Sequence, residues 1–299
     1  MRSVRVRVPA STANLGPGFD ALGLALALYD EVEVVPGPSG LRVEVFGEGA
    51  GQVPTDEYNL VVRALRAACA RYGHQPGSVV LRCRNRIPHS RGLGSSAAAA
   101  VAGVLAGYAL AGMEPDETAL NLAAGFEGHA DNVAASLLGG VVISWKEKSS
   151  FRAVRLQPHP DLAPVLLVPE QTSATESTRG LLPAEVPHTD AAFTAGRAAL
   201  LVHALTAAPG LLLAATEDRL HQPYRRCAYP ATARLVDALR ASGVPAAVSG
   251  AGPTVLAFPV GGELPARLGP GGDITAGFTR YRLDVARTGA IIEPIVEQE

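Results

Sequence analysis

"RGLGSSAAAAVAG", Arg91 to Gly103, is the stretch on which the fold turns. Two glycines flank a leucine, two serines follow, and the alanines propagate a helix. The first N–H groups of a helix lack internal partners, and the dipole adds roughly half a positive charge there. A glycine turn leading into a helix is therefore a place to hold an anion. Gly92 and Gly94 let the backbone come close to a ligand. Ser95 and Ser96 can cap the helix or ligate a metal ion. Two alternatives fail. A Walker A loop needs a lysine before its Ser/Thr, and none is present. A dinucleotide fingerprint agrees with "GLGSSA", but it should begin directly after a strand, and "NRIPHSR" (Asn85–Arg91) intervenes. Residues 110–120 read as helix where that motif needs a second strand. On these residues alone, a serine-capped glycine turn without a ligand also fits.

Outward from the loop, "SVRVRV" (Ser3–Val8) alternates as a half-buried strand should. "PASTANLGPGFDALG" (Pro9–Gly23) reads as a long loop, a feature that is usually functional in a compact domain. "YDEVEVV" and "LRVEVFG" read as a strand pair. "YNLVVRALRAACARY" (Tyr58–Tyr72) has helical spacing and stops at Gly73. "SVVLRCR" (Ser78–Arg84) is a strand. After the glycine loop a helix runs to about Ala111, another starts at Pro115 in its first turn, and "GHADNVAASLLGG" (Gly128–Gly140) holds a short one. "VVISW" (Val141–Trp145) is a strand. "KEKSS" (Lys146–Ser150) is the most polar short run in the middle of the chain and places a domain boundary there, dividing residues 1–150 from 151–299. In the second part, strands are expected at Phe151–Leu156, Pro164–Val168, Pro245–Ser249, Thr254–Pro259 and Phe278–Val285. Helices are expected within Asp190–Ala208 and Ala231–Ser242, and "PVGGELPARLGPGGD" (Pro259–Asp273) is loop. The mixture lacks a strict βαβ alternation, so the fold class is α+β.

The 299 residues suffice for two domains and a substantial core. Apolar residues make up 47% and charged residues 18%, which argues against disorder. A formal net charge of −2 without a basic stripe argues against nucleic acid as a partner. Arg82, Arg84, Arg86 and Arg91 cluster as a solvated strand face would. The N-terminal "MRSVRVRVPAS" has no signal-peptide core, and no apolar run reaches membrane-spanning length. Cys69, Cys83 and Cys227 are too scattered for a disulfide framework or a zinc cluster, so a cytoplasmic location is expected.

Three stretches in order, "PASTANLGPGFDALGLAL", "IPHSRGLGSSAAA" and "VSGAGPTVLAF", resemble the three motifs of the GHMP kinases. "ANLGPGFD" (Ala13–Asp20) resembles the homoserine kinase branch of that family, as do "EGHADNVAASLLGG", "TSATESTRGLLP" and "LHQPYR". The likeness runs from Val4 to about Phe258. It implies a two-part architecture, with an N-terminal part like ribosomal protein S5 domain 2 and a C-terminal ferredoxin-like part. It implies ATP and Mg²⁺ as cofactors and L-homoserine as substrate, phosphorylated on its hydroxyl one step before threonine. It also carries the expectation of a homodimer.

The resemblance assigns roles to residues. The nucleotide would lie against Asn59, Pro88, His89, Ser90, Arg91, Gly92, Leu93, Gly94, Ser95, Ser96, Ala97 and Ala98, with backbone N–H groups and the dipole in place of the lysine. Ser96 and Glu127 would hold Mg²⁺, a hard ion that takes oxygen ligands. Homoserine is a zwitterion with a hydroxyl. Asp20, beside Asn14, would take its ammonium, and Arg179 and Arg225 its carboxylate, since guanidinium binds carboxylate in a bidentate way. His129 and Asn132 would contact its polar end, with Gly252 in the closing turn "SGAGPT" (Ser249–Thr254). Asn132 and Thr175 would orient the hydroxyl as catalytic residues. Asp131 is the nearest acidic candidate for a base and is not assigned as one. The family often has proline where this chain has Ala130. Two other readings remain open: a GHMP kinase acting on a mevalonate-like or sugar alcohol, and an inactive ligand-binding member. Asp20, Arg179 and Arg225 separate the first from a homoserine enzyme, because mevalonate and sugars have no ammonium.

Overall fold

Alternating valines build the first strand: Val4, Val6 and Val8 point into the core of β1 (Val4–Asn14). In the computed structural model, which describes residues 3–172, 178–265 and 274–295, β1 runs on to Asn14 and β2 (Gly18–Pro36) follows after a tight turn. The stretch read as a long loop is therefore mostly strand. Its polar residues misled the reading because they are buried in pairs: Ser11 and Thr12 are fully covered and hydrogen-bond to groups on other elements.

The long β2 pairs with β1 along one side and divides its other side between two strands. Leu22–Leu24 pair with β5 (Val141–Glu147), and Glu31–Pro36 pair with β4 (Val79–Asn85). β3 (Leu41–Gly47) runs parallel to β4, so "YDEVEVV" and "LRVEVFG" are both strands but β4 lies between them. β6 (Ser150–Leu156) closes a hairpin with β5, and β11 (Ile291–Pro294) returns from the chain's end to flank β1. "KEKSS" is the end of β5, the turn and the start of β6. The first sheet's members thus continue past residue 150 and resume at Ile291.

Four helices cover this sheet: α1 (Leu60–Arg71), α2 (Ser95–Leu110), α3 (Glu117–Glu127) and α4 (Asp131–Leu138). α2 is apolar on every side and almost wholly buried between α1 and β1, as an all-round apolar helix must be. α3 begins after Pro115, with Asp116 as its N-cap accepting from Thr118 N, so the proline precedes the cap and does not open the first turn.

The second sheet is antiparallel, in the order β10 (Phe278–Arg282), β7 (Val165–Pro169), β9 (Val255–Ala257), β8 (Ala246–Val248). α5 (His188–Thr206), α6 (Leu212–Ala215), α7 (Gln222–Arg225) and α8 (Pro230–Ala241) accompany it. β7 joins the two halves by strand alternation. Leu166 and Val168 face the main core with Leu201 and Leu205 of α5, while Leu167 faces a smaller core with Leu235 and Leu239 of α8. Among the described residues no helix is long and apolar enough to cross a membrane.

Candidate active site

The glycine loop reaches its helix without a cap. Gly94 precedes α2 with φ +69° and supplies no side chain, and the first helical bond is Ala98 N to Gly94 O, 2.8 Å. The N–H groups of Ser95, Ser96 and Ala97 therefore have no partner among the described residues, at the positive end of the helix dipole. The serines do not cap. Ser96 Oγ instead donates to Glu127 Oε1, 2.5 Å away at the end of α3.

Both glycines are required by close approach. A Cβ on Gly92 (φ +77°) would lie 2.3 Å from Ser249 O, and one on Gly94 would lie 2.1 Å from Ser11 Oγ. The turn Ser249–Thr254 packs on the loop. Ser249 Oγ donates to Gly92 O at 2.6 Å, and Gly250 N donates to Ala13 O at 3.0 Å. Gly250 and Ala251 reach the cavity wall. Gly252 stands behind it, where a Cβ would meet the Tyr229 ring at 2.8 Å.

The loop separates two cavities that share Ser90, Ser95 and Ser96 as lining. The first, about 250 Å³, is a mostly apolar slot between Val32, Val45, Val53 and Ala102, and Asn59, His89 and Ala98 also line it. Asn59 caps α1: its Oδ1 accepts from Val61 N and its Nδ2 donates to Pro54 O, which leaves one N–H and one lone pair at the slot. Burial pushes the Asp30 carboxyl in this slot up to about 6, against two backbone N–H bonds, from Arg86 and Ile87, that favour its charge.

Pro88 and Ala97 line neither cavity, and the Leu93 side chain is in the core. Arg91 lines the second cavity and is also tied to the protein. Its guanidinium donates to three carbonyls, those of Pro169, His89 and Glu170, and ties the loop to the end of β7.

The second cavity, about 170 Å³, is polar. Where β1 passes into β2, three non-glycine residues lie in the left-handed region, Asn14 (φ +65°) at the end of β1, Leu15 (+51°) in the turn and Asp20 (+56°) near the start of β2, a strained geometry typical of functional turns. Asn14 holds it in shape by accepting from Asp20 N and donating to Gly250 O. Asp20 thereby faces Arg179 in a two-pronged pair at 2.7 and 2.9 Å. Arg225 stands beside them only 3% exposed, with no carboxylate within ion-pair distance among the described residues. Its Nε donates to Thr178 O and its guanidinium lies over the Phe19 ring. Burial, then the neighbouring Arg179, lower its affinity for its proton. A buried guanidinium with no counterion among the described residues can take an anion from the cavity.

On the opposite wall Asp131, 2% exposed, accepts from Asn132 N at 2.7 Å and lies 2.9 Å from His129 Nδ1. That hydrogen bond raises the His129 pKa. Asn132 Oδ1 accepts from Ser11 Oγ at 3.1 Å, which fixes the side chain at the loop's edge. The structure thus gathers Asn14, Asp20, Ser96, Glu127, His129, Asn132, Arg179 and Arg225 around one cavity. Thr175 lies outside the described residues. The sequence reading passed over two residues, Phe19 and His221. "LHQPYR" did hold a signal: His221 precedes Arg225 by one helical turn, so the two share a face.

Residues 59–140 match the GHMP kinases N terminal domain, and residues 197–262 the GHMP kinases C terminal domain. A homoserine kinase of Streptomyces avermitilis is 56% identical over 260 residues, covering 86% of this chain and 85% of that protein. One of Rhodococcus erythropolis is 53% identical over 270 residues, covering 86% of each chain. Among solved structures, homoserine kinase from Cytophaga hutchinsonii superposes with a TM-score of 0.83 at 25% identity, covering 98% of both chains. Mevalonate diphosphate decarboxylase from Staphylococcus aureus shares the fold, with a TM-score of 0.69 at 17% identity and 98% of each chain covered.

Proposed function

The chain belongs to the homoserine kinases of the GHMP kinase family, and on that premise we propose how its two cavities divide the reaction. The enzyme phosphorylates the side-chain hydroxyl of L-homoserine with ATP as donor, giving O-phospho-L-homoserine and ADP. The observation that carries the site reading is the placement of the glycine loop. On one side lies an apolar slot sized for a base and sugar. On the other lies a polar cavity lined by the carboxylates of Asp20, Glu127 and Asp131 and the guanidinium groups of Arg91, Arg179 and Arg225.

ATP lies with its adenosine between Asn59, Val45 and Ala102 and its phosphates at the start of α2. There the free N–H groups of Ser95, Ser96 and Ala97 receive negative charge. Ser96 and Glu127 fit a magnesium site, because a hydroxyl and a carboxylate oxygen 2.5 Å apart form a hard donor pair at the cavity wall. Mg²⁺ bound there would neutralise charge on the phosphates.

L-Homoserine enters the polar cavity with its ammonium on Asp20 and its carboxylate on Arg225 and Arg179. The Asp20–Arg179 pair is exchanged for two pairs with the zwitterion, so no charge is stranded. Asn132, with Thr175, orients the hydroxyl toward the loop, and His129 borders it. Phosphoryl transfer has a loose transition state, in which positioning and charge stabilisation outweigh proton removal. Asp131 is held by Asn132 N and His129, and its role is to fix those two groups. Asp131→Asn should therefore lower kcat by less than about a hundredfold, whereas a loss near a thousandfold at constant KM would make it a base.

The nucleotide residues come from the first 150 residues, with Arg179, Arg225 and the closing turn from the remainder. A homodimer and a cytoplasmic location belong to this proposal on the family likeness, and light scattering reads the first. The test of the site is Asp20→Asn. It should raise KM for homoserine by about tenfold or more while KM for ATP stays within about twofold. A rise in KM for ATP alone would reverse the assignment of the cavities.

A further inference from the structure

His221 is completely buried, yet both of its ring nitrogens have partners. Nε2 lies 2.8 Å from Gly16 O, and a carbonyl only accepts, so Nε2 carries the proton. Nδ1 lies 3.1 Å from an Arg225 guanidinium nitrogen, which only donates, so Nδ1 presents a lone pair. These contacts define one neutral tautomer. A second proton would set N–H against N–H beside a guanidinium. Burial lowers the His221 pKa in the same direction, against the opposing field of Asp218, whose Oδ2 is 3.5 Å from Nε2. Asp218 is itself buried and accepts backbone N–H groups of Leu220, His221 and Gln222. The Phe19 ring stacks on the imidazole, with centroids 5.0 Å apart, and carries Arg179 and Arg225 over its face.

Gly16 lies in the turn before β2, with Phe19 and Asp20 at the start of that strand, whereas Arg225 belongs to α7. We infer that His221 is a positioning residue for substrate recognition: as a neutral donor–acceptor bridge it fixes the Arg225 guanidinium relative to the Asp20 turn, and so sets the spacing between the carboxylate and ammonium sites. The inference rests on the reading of Arg225 as the carboxylate site. It explains how a cation with no carboxylate at ion-pair distance among the described residues is held aimed at the cavity. An acceptor from behind fixes the orientation of the guanidinium and leaves its charge for the substrate.

The test uses the full-length enzyme and two ligands, L-homoserine and 3-aminopropan-1-ol, which keeps the ammonium and hydroxyl but lacks the carboxylate. His221→Ala should raise KM for homoserine by about tenfold with kcat within about threefold. The inhibition constant of 3-aminopropan-1-ol and KM for ATP should hold within about twofold. His221→Gln keeps one donor and one acceptor and should recover most of the loss. Equal losses for both ligands, or no recovery with Gln, would reduce His221 to a packing residue. An unchanged homoserine KM in His221→Ala beside a raised one in Arg225→Lys would overturn the bridge and leave the carboxylate reading standing. An unchanged KM in Arg225→Lys would overturn both. Should His221→Ala fail to fold, ¹⁵N spectra of the wild-type ring decide. The bridge requires the neutral Nε2–H form at pH near 7 with and without homoserine, and an imidazolium or an Nδ1–H form would contradict it.

Discussion

Arg225 and Asp30 are both buried charges, and their surroundings treat them differently. Arg225 is held by a neutral imidazole, a carbonyl and an aromatic face, a setting that a bound carboxylate completes. Asp30 accepts two backbone N–H groups, yet burial lifts its pKa to about 6 from an ordinary value near 3.8. Between those two values the folded protein binds a proton that the unfolded chain does not. Stability therefore falls as pH rises through that window, and the full penalty is present above it. Asp30→Asn keeps an acceptor for the two N–H groups and removes the charge. It should raise stability by about 3 kcal/mol at pH 7.5 and by nearly nothing at pH 4, read by urea unfolding at the two values. A constant difference across pH would contradict this. At this scale a residue's place at the cavity was legible wherever it sat inside a recognisable motif, as Asp20, Ser96 and Asn132 do. Asp30 and His221 stand where their chemistry comes from burial and from partners distant in the chain, which no local pattern records.

Glycines expose what the elements require of each other. Alanine normally improves a helix interior over glycine by about 1 kcal/mol. In α3, Gly125 faces open space, and Gly125→Ala should stabilise by roughly that amount. In α2, a Cβ on Gly103 would lie 2.4 Å from Val61 O of α1, so Gly103→Ala should destabilise by about 1–3 kcal/mol despite its better propensity. Thermal melts of the two variants should move in opposite directions. A rise for both would mean that α1 and α2 have room to separate. Helices were read closely from spacing and stops: Tyr58–Tyr72 enclosed α1, and the segment between Gly128 and Gly140 enclosed α4. The β1–β2 region was misread because turn-type residues in "PASTANLGPGFDALG" serve buried hydrogen bonds between elements. β11 escaped notice, being four residues in a tail with no partner nearby in sequence.

In the whole molecule, β11 ties the chain's end to its beginning, pairing Ile291–Pro294 with Val4–Arg7 along the flank of the first sheet. Ending the chain after Ala290 should uncover the β1 edge and lower the melting temperature by roughly 5 °C or more. Homoserine KM should change little, because the strand lies away from both cavities. An unchanged melt would show that the edge needs no cover. The larger design is legible in outline from three ordered motifs. How the second half delivers Arg179 and Arg225 to a cavity opened by the first is not, since that depends on strands joining across the chain. The most direct test is ADP release with Mg²⁺ and ATP, using L-homoserine, mevalonate, galactose and no acceptor in parallel. Sustained turnover with homoserine alone, yielding O-phospho-L-homoserine, is the expected result. Comparable turnover with mevalonate or galactose, or bound ATP with no acceptor phosphorylated, would contradict the assignment of the polar cavity to a zwitterion.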